Sequence, residues 1–170
     1  MFKVIKPMKI RNFSILVFLL LSNTLVAQKL FSEKFDNCSP TFSLEKDQIR
    51  ITYEKSDSLL VNKIVNGIEN KHFIKLRGVI AAQLVIDSAG TACLNSYDYK
   101  FNMLRKPFDI EENLKNIKGF EGTGTKDFIS VLFKIFFENK TVTFRRLGYS
   151  RNTGWNVLSE STFKKPEEEK

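Results

Sequence analysis

An unbroken alternation of apolar and other side chains between Asp127 and Glu138 constrains the fold more than any other feature of this sequence. The apolar positions are Ile129, Val131, Phe133, Ile135 and Phe137. A period of two is typical of a strand with one buried face. The opposite face is mixed in polarity, and it includes Phe128, Leu132 and Phe136. The pattern predicts a central sheet strand whose second face is either a partly exposed apolar strip or is covered by another segment.

Three further segments predict strands. They are the alternating run Gln48–Glu54, the hairpin of Leu76–Ile86 and Thr91–Phe101 around the turn Asp87–Gly90, and a last strand, Thr141–Leu147. β-Branched and aromatic residues bounded by turn residues are typical of such strands.

Two segments have the apolar spacing of helices. Ser56 or Asp57 can cap the first, which continues towards Ile68 and ends near Asn70. Asp109 can cap the second, over residues 109–118. The sequence therefore predicts an α+β domain over residues 48–148, with an antiparallel sheet of four to five strands and two helices packed on one face. An irregular lead-in (28–47) precedes this domain, and a C-terminal extension with a charged tail (149–170) follows it.

The first 27 residues have the organisation of an export signal. Four basic residues precede the apolar run Phe13–Leu21, and the small residue Ala27 follows a short polar stretch. We expect cleavage after Ala27 and a location in the periplasm or outside the cell. The alternative is a retained membrane anchor, but a span needs about 20 consecutive apolar residues. We therefore expect no stable membrane span after cleavage.

Much of the basic charge belongs to this signal. Residues 1–27 contain four of the 27 Lys and Arg residues and none of the 19 Asp and Glu residues, so the remainder has a net charge of +4 rather than +8. Basic and acidic residues are mixed along it. A nucleic-acid binder concentrates its basic residues on one face or stripe, so we expect no nucleic-acid partner.

The two cysteines, Cys38 and Cys93, leave two alternatives open. An oxidising compartment favours a disulfide between them. Two buried thiols are the other possibility, because free cysteine is among the most buried residue types.

No group of residues has the spacing of a catalytic, cofactor-binding or metal-binding site. His72, the one histidine, lies in a polar helix end with no acid or thiol beside it in sequence. One histidine and two distant cysteines do not form a recognisable metal-ligand set. The adjacent acids Glu111 and Glu112 are ordinary residues of a first helical turn. We therefore expect a protein that is not an enzyme and has no cofactor.

The hairpin carries a family resemblance. Its sequence from Leu76 to Gly90, with Gly78, an alternating strand and the Asp87–Gly90 turn, resembles the periplasmic C-terminal domain of TonB-type energy transducers, as found in small exported proteins of Bacteroidetes type. The resemblance covers roughly residues 56–140. The Tyr-Pro pair that precedes the hairpin in that family is absent, and so is a proline-rich spacer.

The resemblance implies a non-enzymatic module that binds an extended segment of an envelope protein by strand addition. We expect the binding edge along Thr141, Val142, Thr143, Phe144 and Arg145, next to the strip of Phe128, Leu132 and Phe136. The alternative is a small hydrolase or ligand-binding protein with a site between sheet and helices that contains Tyr97, Asp98 or Tyr99.

Overall fold

The computed structural model describes residues 29–53, 56–102, 109–121 and 126–165, which contain seven strands and three helices. The strands are β1 (Glu33–Lys34), β2 (Ser43–Leu44), β3 (Gly78–Ile86), β4 (Ala92–Phe101), β5 (Ile129–Glu138), β6 (Thr141–Ser150) and β7 (Gly154–Lys164). The helices are α1 (Asp57–Ile64), α2 (Asn70–Lys75) and α3 (Ile110–Lys115).

One sheet contains all seven strands, in the order β1-β4-β3-β5-β6-β7. Every neighbour in this order is antiparallel, whereas β2 pairs in parallel with the first two residues of β5. β5 pairs with β3 along the whole of β3, and with β6 from Leu132 onward. The strand with the strictest alternation thus lies inside the sheet, as the sequence predicts.

The core face of the sheet packs against the helices. Ile129, Phe133, Ile135 and Phe137 of β5 are fully buried in one cluster with apolar residues of all three helices. Full burial of one such side chain contributes about 1.5–3 kcal/mol. The predicted inward face of β5 is therefore confirmed.

Residues 29–46 form the N-terminal arm, and the first part of this arm partly covers the opposite side of the sheet, called here the back face. Leu30 N donates to Gln83 Oε1 and to Ser96 Oγ, both at 3.3 Å, and Gln83 and Ser96 are fully buried. The disulfide between Cys38 and Cys93 joins the arm to β4, so the first of the two alternatives for the cysteines is the one in the structure. The back face stays accessible toward β6 and β7, where it comprises Phe136, Thr143, Arg145, Leu147, Tyr149, Trp155, Val157, Glu160, Thr162 and Lys164.

The predicted fold class is wrong, because the sheet has seven strands rather than four to five and three short helices rather than two lie in the described residues. The long predicted first helix is divided. Ser56 caps α1 through its contact with Leu59 N (3.3 Å), but the helix ends at Ile64 and Gly67 turns the chain at a φ of 88°. α2 then begins at Asn70, where the sequence analysis places an end.

The predicted strand Gln48–Glu54 is also wrong. Within its described part, only Tyr53 forms a bridge, to Phe120. The Glu45 carboxylate accepts hydrogen bonds from Arg50 N (2.7 Å) and Ile51 N (3.2 Å), so these backbone groups bond to a side chain instead of a strand. Ile51 is nevertheless buried, which explains its place in an alternating pattern.

β7 occupies the region that the sequence analysis assigned to a C-terminal extension. The expected export signal and the cleavage point after Ala27 lie outside the described residues. In the part of the chain that the structure describes, no helix is both long and apolar enough to cross a membrane.

Candidate functional site

The predicted binding edge, Thr141–Leu147, is an interior strand. Each of its residues pairs with β5 on one side and with β7 on the other. Val142 and Phe144 are buried on the core face, so neither is accessible to a partner. β7 covers the edge that β6 would otherwise expose.

The other predicted contact residues are only partly brought together. Phe136, Thr143 and Arg145 are neighbours on the back face, where the Arg145 guanidinium lies 5.0 Å from the centroid of the Phe136 ring. Leu132 lies on the same face but is buried, and Phe128 is exposed before β5, so the predicted continuous strip does not form. Thr141 is exposed at the start of β6.

β7 is the open edge of the sheet. It is the longest strand in the described residues, at 11 residues, and there it pairs with β6 alone. The other end strand of the sheet is β1, which has two residues and pairs with Ser96 and Tyr97 of β4. A row of unpaired backbone groups on an edge strand is a template for adding another strand.

Two backbone hydrogen bonds establish which β7 residues direct their N–H and C=O groups outward. Lys165 N donates to Lys140 O (2.8 Å), towards β6, and Tyr149 N donates to Glu45 O (2.8 Å), away from β7. In an antiparallel pair these directions alternate along each strand. Given the pairing of β6 with β7, the outward groups belong to Trp155, Val157, Glu160, Thr162 and Lys164. The side chains of these same residues lie on the back face, and together we call them the β7 site.

An aromatic cluster forms one end of the β7 site. The rings of Tyr149 and Trp155 have centroids 5.0 Å apart, and Val157 lies opposite Leu147 in the adjacent register position. Trp155 and Val157 are about half exposed, at 48% and 52%. Large apolar side chains exposed beside an open edge are typical of a binding surface.

Paired polar groups form the middle of the site. Arg145 Nε lies 2.5 Å from Glu160 Oε2, and both side chains are partly exposed. The hydroxyls of Thr143 and Thr162 are 3.1 Å apart. At the far end, Lys164 is exposed opposite Thr141.

The N-terminal arm positions the aromatic end. Arg146 donates through two nitrogens to both oxygens of Glu45, each at 2.7 Å, and both side chains are buried. The next residue of the arm packs against Gly148, where a Cβ atom would lie only 2.0 Å from Lys46 O. Asn156 Nδ2 also donates to Lys46 O (3.1 Å). These contacts hold the end of the β6–β7 hairpin where β5 no longer pairs with it.

The residues of the alternative enzymatic site do not converge. Tyr97 and Tyr99 lie on the core face with stacked rings, whereas Asp98 lies on the back face and accepts from Tyr99 N (2.8 Å). Burial, followed by the charge of Glu111, raises the pKa of Tyr97 to about 12. Tyr97 Oη is 3.4 Å from Glu111 Oε2, a contact that fastens α3 to the sheet.

Lys165 is another buried ionisable group. Its Nζ donates to Leu76 O (2.5 Å) at the end of α2, where a cation complements the helix dipole. Burial, together with the charge of Arg77, lowers the pKa of this lysine.

A shallow concavity of about 470 Å³ lies nearby and is lined by Arg77, Gly78, Val79, Phe136, Phe137, Glu138 and Asn139. Its lining has no paired acid and base of the kind that hydrolysis requires.

Glu112 lies in the first turn of α3, as predicted, and accepts from Asn116 Nδ2 (2.7 Å). His72 lies within α2, a separate helix that was not predicted, rather than at the end of the first helix. Among the residues placed by the structure, no group of three or more His, Cys, Asp or Glu side chains could hold a metal ion.

Comparisons with models of protein families, with curated proteins and with solved structures found no match to this chain. The resemblance to TonB-type domains stays a prediction.

The absence of β7 from the predicted sheet has an identifiable reason. Arg151, Asn152, Thr153 and Gly154 form a turn signal, and Trp155 and Val157 then alternate with polar residues. A shift in the pairing between Arg146 and Leu147 breaks this alternation after Val157. Short alternating stretches on both sides of the break were the available signal.

Proposed function

We propose that this chain is an exported, non-enzymatic protein-binding module that adds an extended segment of another envelope protein to the outer edge of β7. The observation that supports it most directly is the combination of an 11-residue unpaired edge with exposed Trp155 and Val157 on one of its faces. Main-chain hydrogen bonds to the edge supply affinity, and alternate side chains supply specificity. The export signal predicted over residues 1–27 supports the location.

The two edges of the sheet differ in a way that favours β7. β1 pairs with β4 and Phe35 N donates to Asn95 O (3.1 Å), so this edge is covered where the disulfide attaches the arm. Covering an edge with a short segment is a common protection against unwanted strand pairing. No comparable cover lies on β7 in the described ranges.

A proline substitution on the outward side of β7 tests the proposal. Thr162→Pro removes an N–H that points away from β6, and proline is tolerated at such positions of edge strands. Thr162→Ala is the matched control, because it removes the same hydroxyl contact with Thr143 and keeps the N–H. The mature, oxidised chain and both variants would be used to capture proteins from a bacterial envelope extract.

We expect Thr162→Ala to retain a partner that Thr162→Pro loses, while circular dichroism shows both variants folded. Equal capture by the two variants would contradict strand addition at this edge.

Export is tested separately, by fractionating cells that express the whole chain and sequencing the amino terminus of the product. A product that begins at Gln28 in the envelope fraction is expected, and an uncleaved cytoplasmic product would contradict export.

A further inference from the structure

The two ends of the β7 site differ in chemistry. At one end, Trp155 and Val157 are about half exposed and Tyr149 is 38% exposed, so a partner side chain there would remove apolar surface from water. Trp155 and Lys164 are nine positions apart, which corresponds to roughly 30 Å of extended chain. The site is therefore long enough to distinguish the two ends of a bound segment.

The middle of the site has no uncompensated charge. Glu160 pairs with Arg145, and Thr162 bonds to Thr143. A partner residue placed here meets groups that already have partners, so polar and uncharged side chains fit it best.

The far end is basic. Lys164 is exposed, and within the described ranges no carboxylate lies within 4 Å of its ammonium. Lys140 is also exposed, at the adjoining turn, where its carbonyl oxygen accepts from Lys165 N. Glu138 is exposed on the same face, and Thr141 lies between it and Lys164. The Lys165 ammonium points inward to Leu76 O and leaves Lys164 as the accessible cation of β7.

We infer that the β7 site selects an extended segment by polarity, with acidic residues at its amino-terminal end and apolar residues at its carboxyl-terminal end. The inference rests on the proposed function and specifies the chemistry of the partner. An added strand antiparallel to β7 places its amino-terminal end at Lys164 and its carboxyl-terminal end at Trp155. Antiparallel addition continues the pattern of the neighbouring strands.

Synthetic peptides of about ten residues, the length that covers β7, test this inference. One peptide has two glutamates first, serine and threonine in the middle, and valine and isoleucine alternating with threonine at the end. The second has the reverse order, and the third replaces the glutamates with lysines. Trp155 is the one tryptophan of the chain, so a blue shift of its emission reports binding at the apolar end.

We expect the acid-first peptide to bind about threefold more tightly than its reverse, the ratio that one exposed ion pair supplies. Lys164→Glu should invert the preference between the glutamate and lysine peptides. This inversion is a readout that a merely structural role of Lys164 would not produce. A chain that ends at Lys165 serves as a control, because it lacks Glu167, Glu168 and Glu169, which could compete for Lys164.

Four outcomes would overturn the inference. Equal affinity for all three peptides would leave strand addition at the edge in place but refute selection by charge. No binding by any peptide at millimolar concentration would refute this partner chemistry. The comparison of Thr162→Pro with Thr162→Ala would still test strand addition at the edge of β7. Self-association that Trp155→Ser abolishes in sedimentation would assign the surface to a second copy. Binding of phosphatidylglycerol vesicles that Lys164→Glu abolishes, with no peptide preference, would assign it to a membrane surface.

Discussion

The buried ion pair between Glu45 and Arg146 provides the sharpest test of how the N-terminal arm is held. Arg146 donates to both carboxylate oxygens, and Arg50 N and Ile51 N donate to Oε1 of the same group. Arg146→Met leaves the Glu45 charge buried without its cation. Removal of one partner from a buried pair typically costs about 3–5 kcal/mol of unfolding free energy. We expect about 3 kcal/mol here, because two backbone donors continue to bond the carboxylate.

The neighbouring residue supplies a matched control. Arg145→Met breaks an ion pair with Glu160 whose side chains are 42% and 46% exposed, so it should cost less than about 1 kcal/mol. Urea unfolding of the oxidised proteins, followed by circular dichroism, measures both values. The double variant Glu45→Gln with Arg146→Met should cost less than the sum of its single substitutions by about 2 kcal/mol, since neither charge is then buried alone. Additive single effects, or equal costs for Arg145→Met and Arg146→Met, would refute this account of the pair.

Three further predictions concern the disulfide, Tyr97 and Gly148. Replacing Cys38 and Cys93 by serine opens a loop of 55 residues and should lower the unfolding free energy by about 4 kcal/mol in the chain-entropy model; a loss below about 1 kcal/mol in urea unfolding would contradict it. The pKa of Tyr97 is raised to about 12 from 10.0, so its contribution is fully present below pH 10 and is lost as the pH rises to 12. That loss should be about 2 kcal/mol and absent from Tyr97→Phe, and equal pH profiles of the two proteins would contradict the shift. Gly148→Ala should cost about 1–3 kcal/mol, because its Cβ would meet Lys46 O, and an unchanged midpoint of thermal unfolding would contradict the close approach.

The parts of the fold that could be predicted from sequence are those with a local physical cause. β5 alternates because its Ile129–Phe137 face is buried by the helices. The hairpin of β3 and β4 follows from its turn, in which Asp87 Oδ1 accepts from Ala89 N (2.9 Å) and Thr91 N (2.8 Å). Both elements could be identified without knowledge of any distant contact.

The parts that could not be predicted depend on distant partners. Glu45 and Arg146 are 101 residues apart, and nothing in either local sequence indicates that they pair. This pairing converts the predicted strand around Ile51 into irregular chain. The two-residue strands β1 and β2 are too short to have a period of their own. The candidate site was predicted on the wrong strand for a related reason, since the predicted sheet ended at β6 and did not include β7 beyond it.

The composition of β7 is compatible with the proposed selective binding at an open edge. Charged and hydroxyl side chains occupy its outward positions from Glu160 to Lys164, and charged residues on an edge oppose indiscriminate strand pairing. Trp155 and Val157 lie at the opposite end, next to the turn, where the arm holds the hairpin through Lys46 and Gly148. A second copy of β7 aligned antiparallel along its whole length would place Lys164 against the aromatic end. In that alignment Lys164 meets no carboxylate, whereas the proposed partner segment would place acidic residues at Lys164 and apolar residues at Trp155.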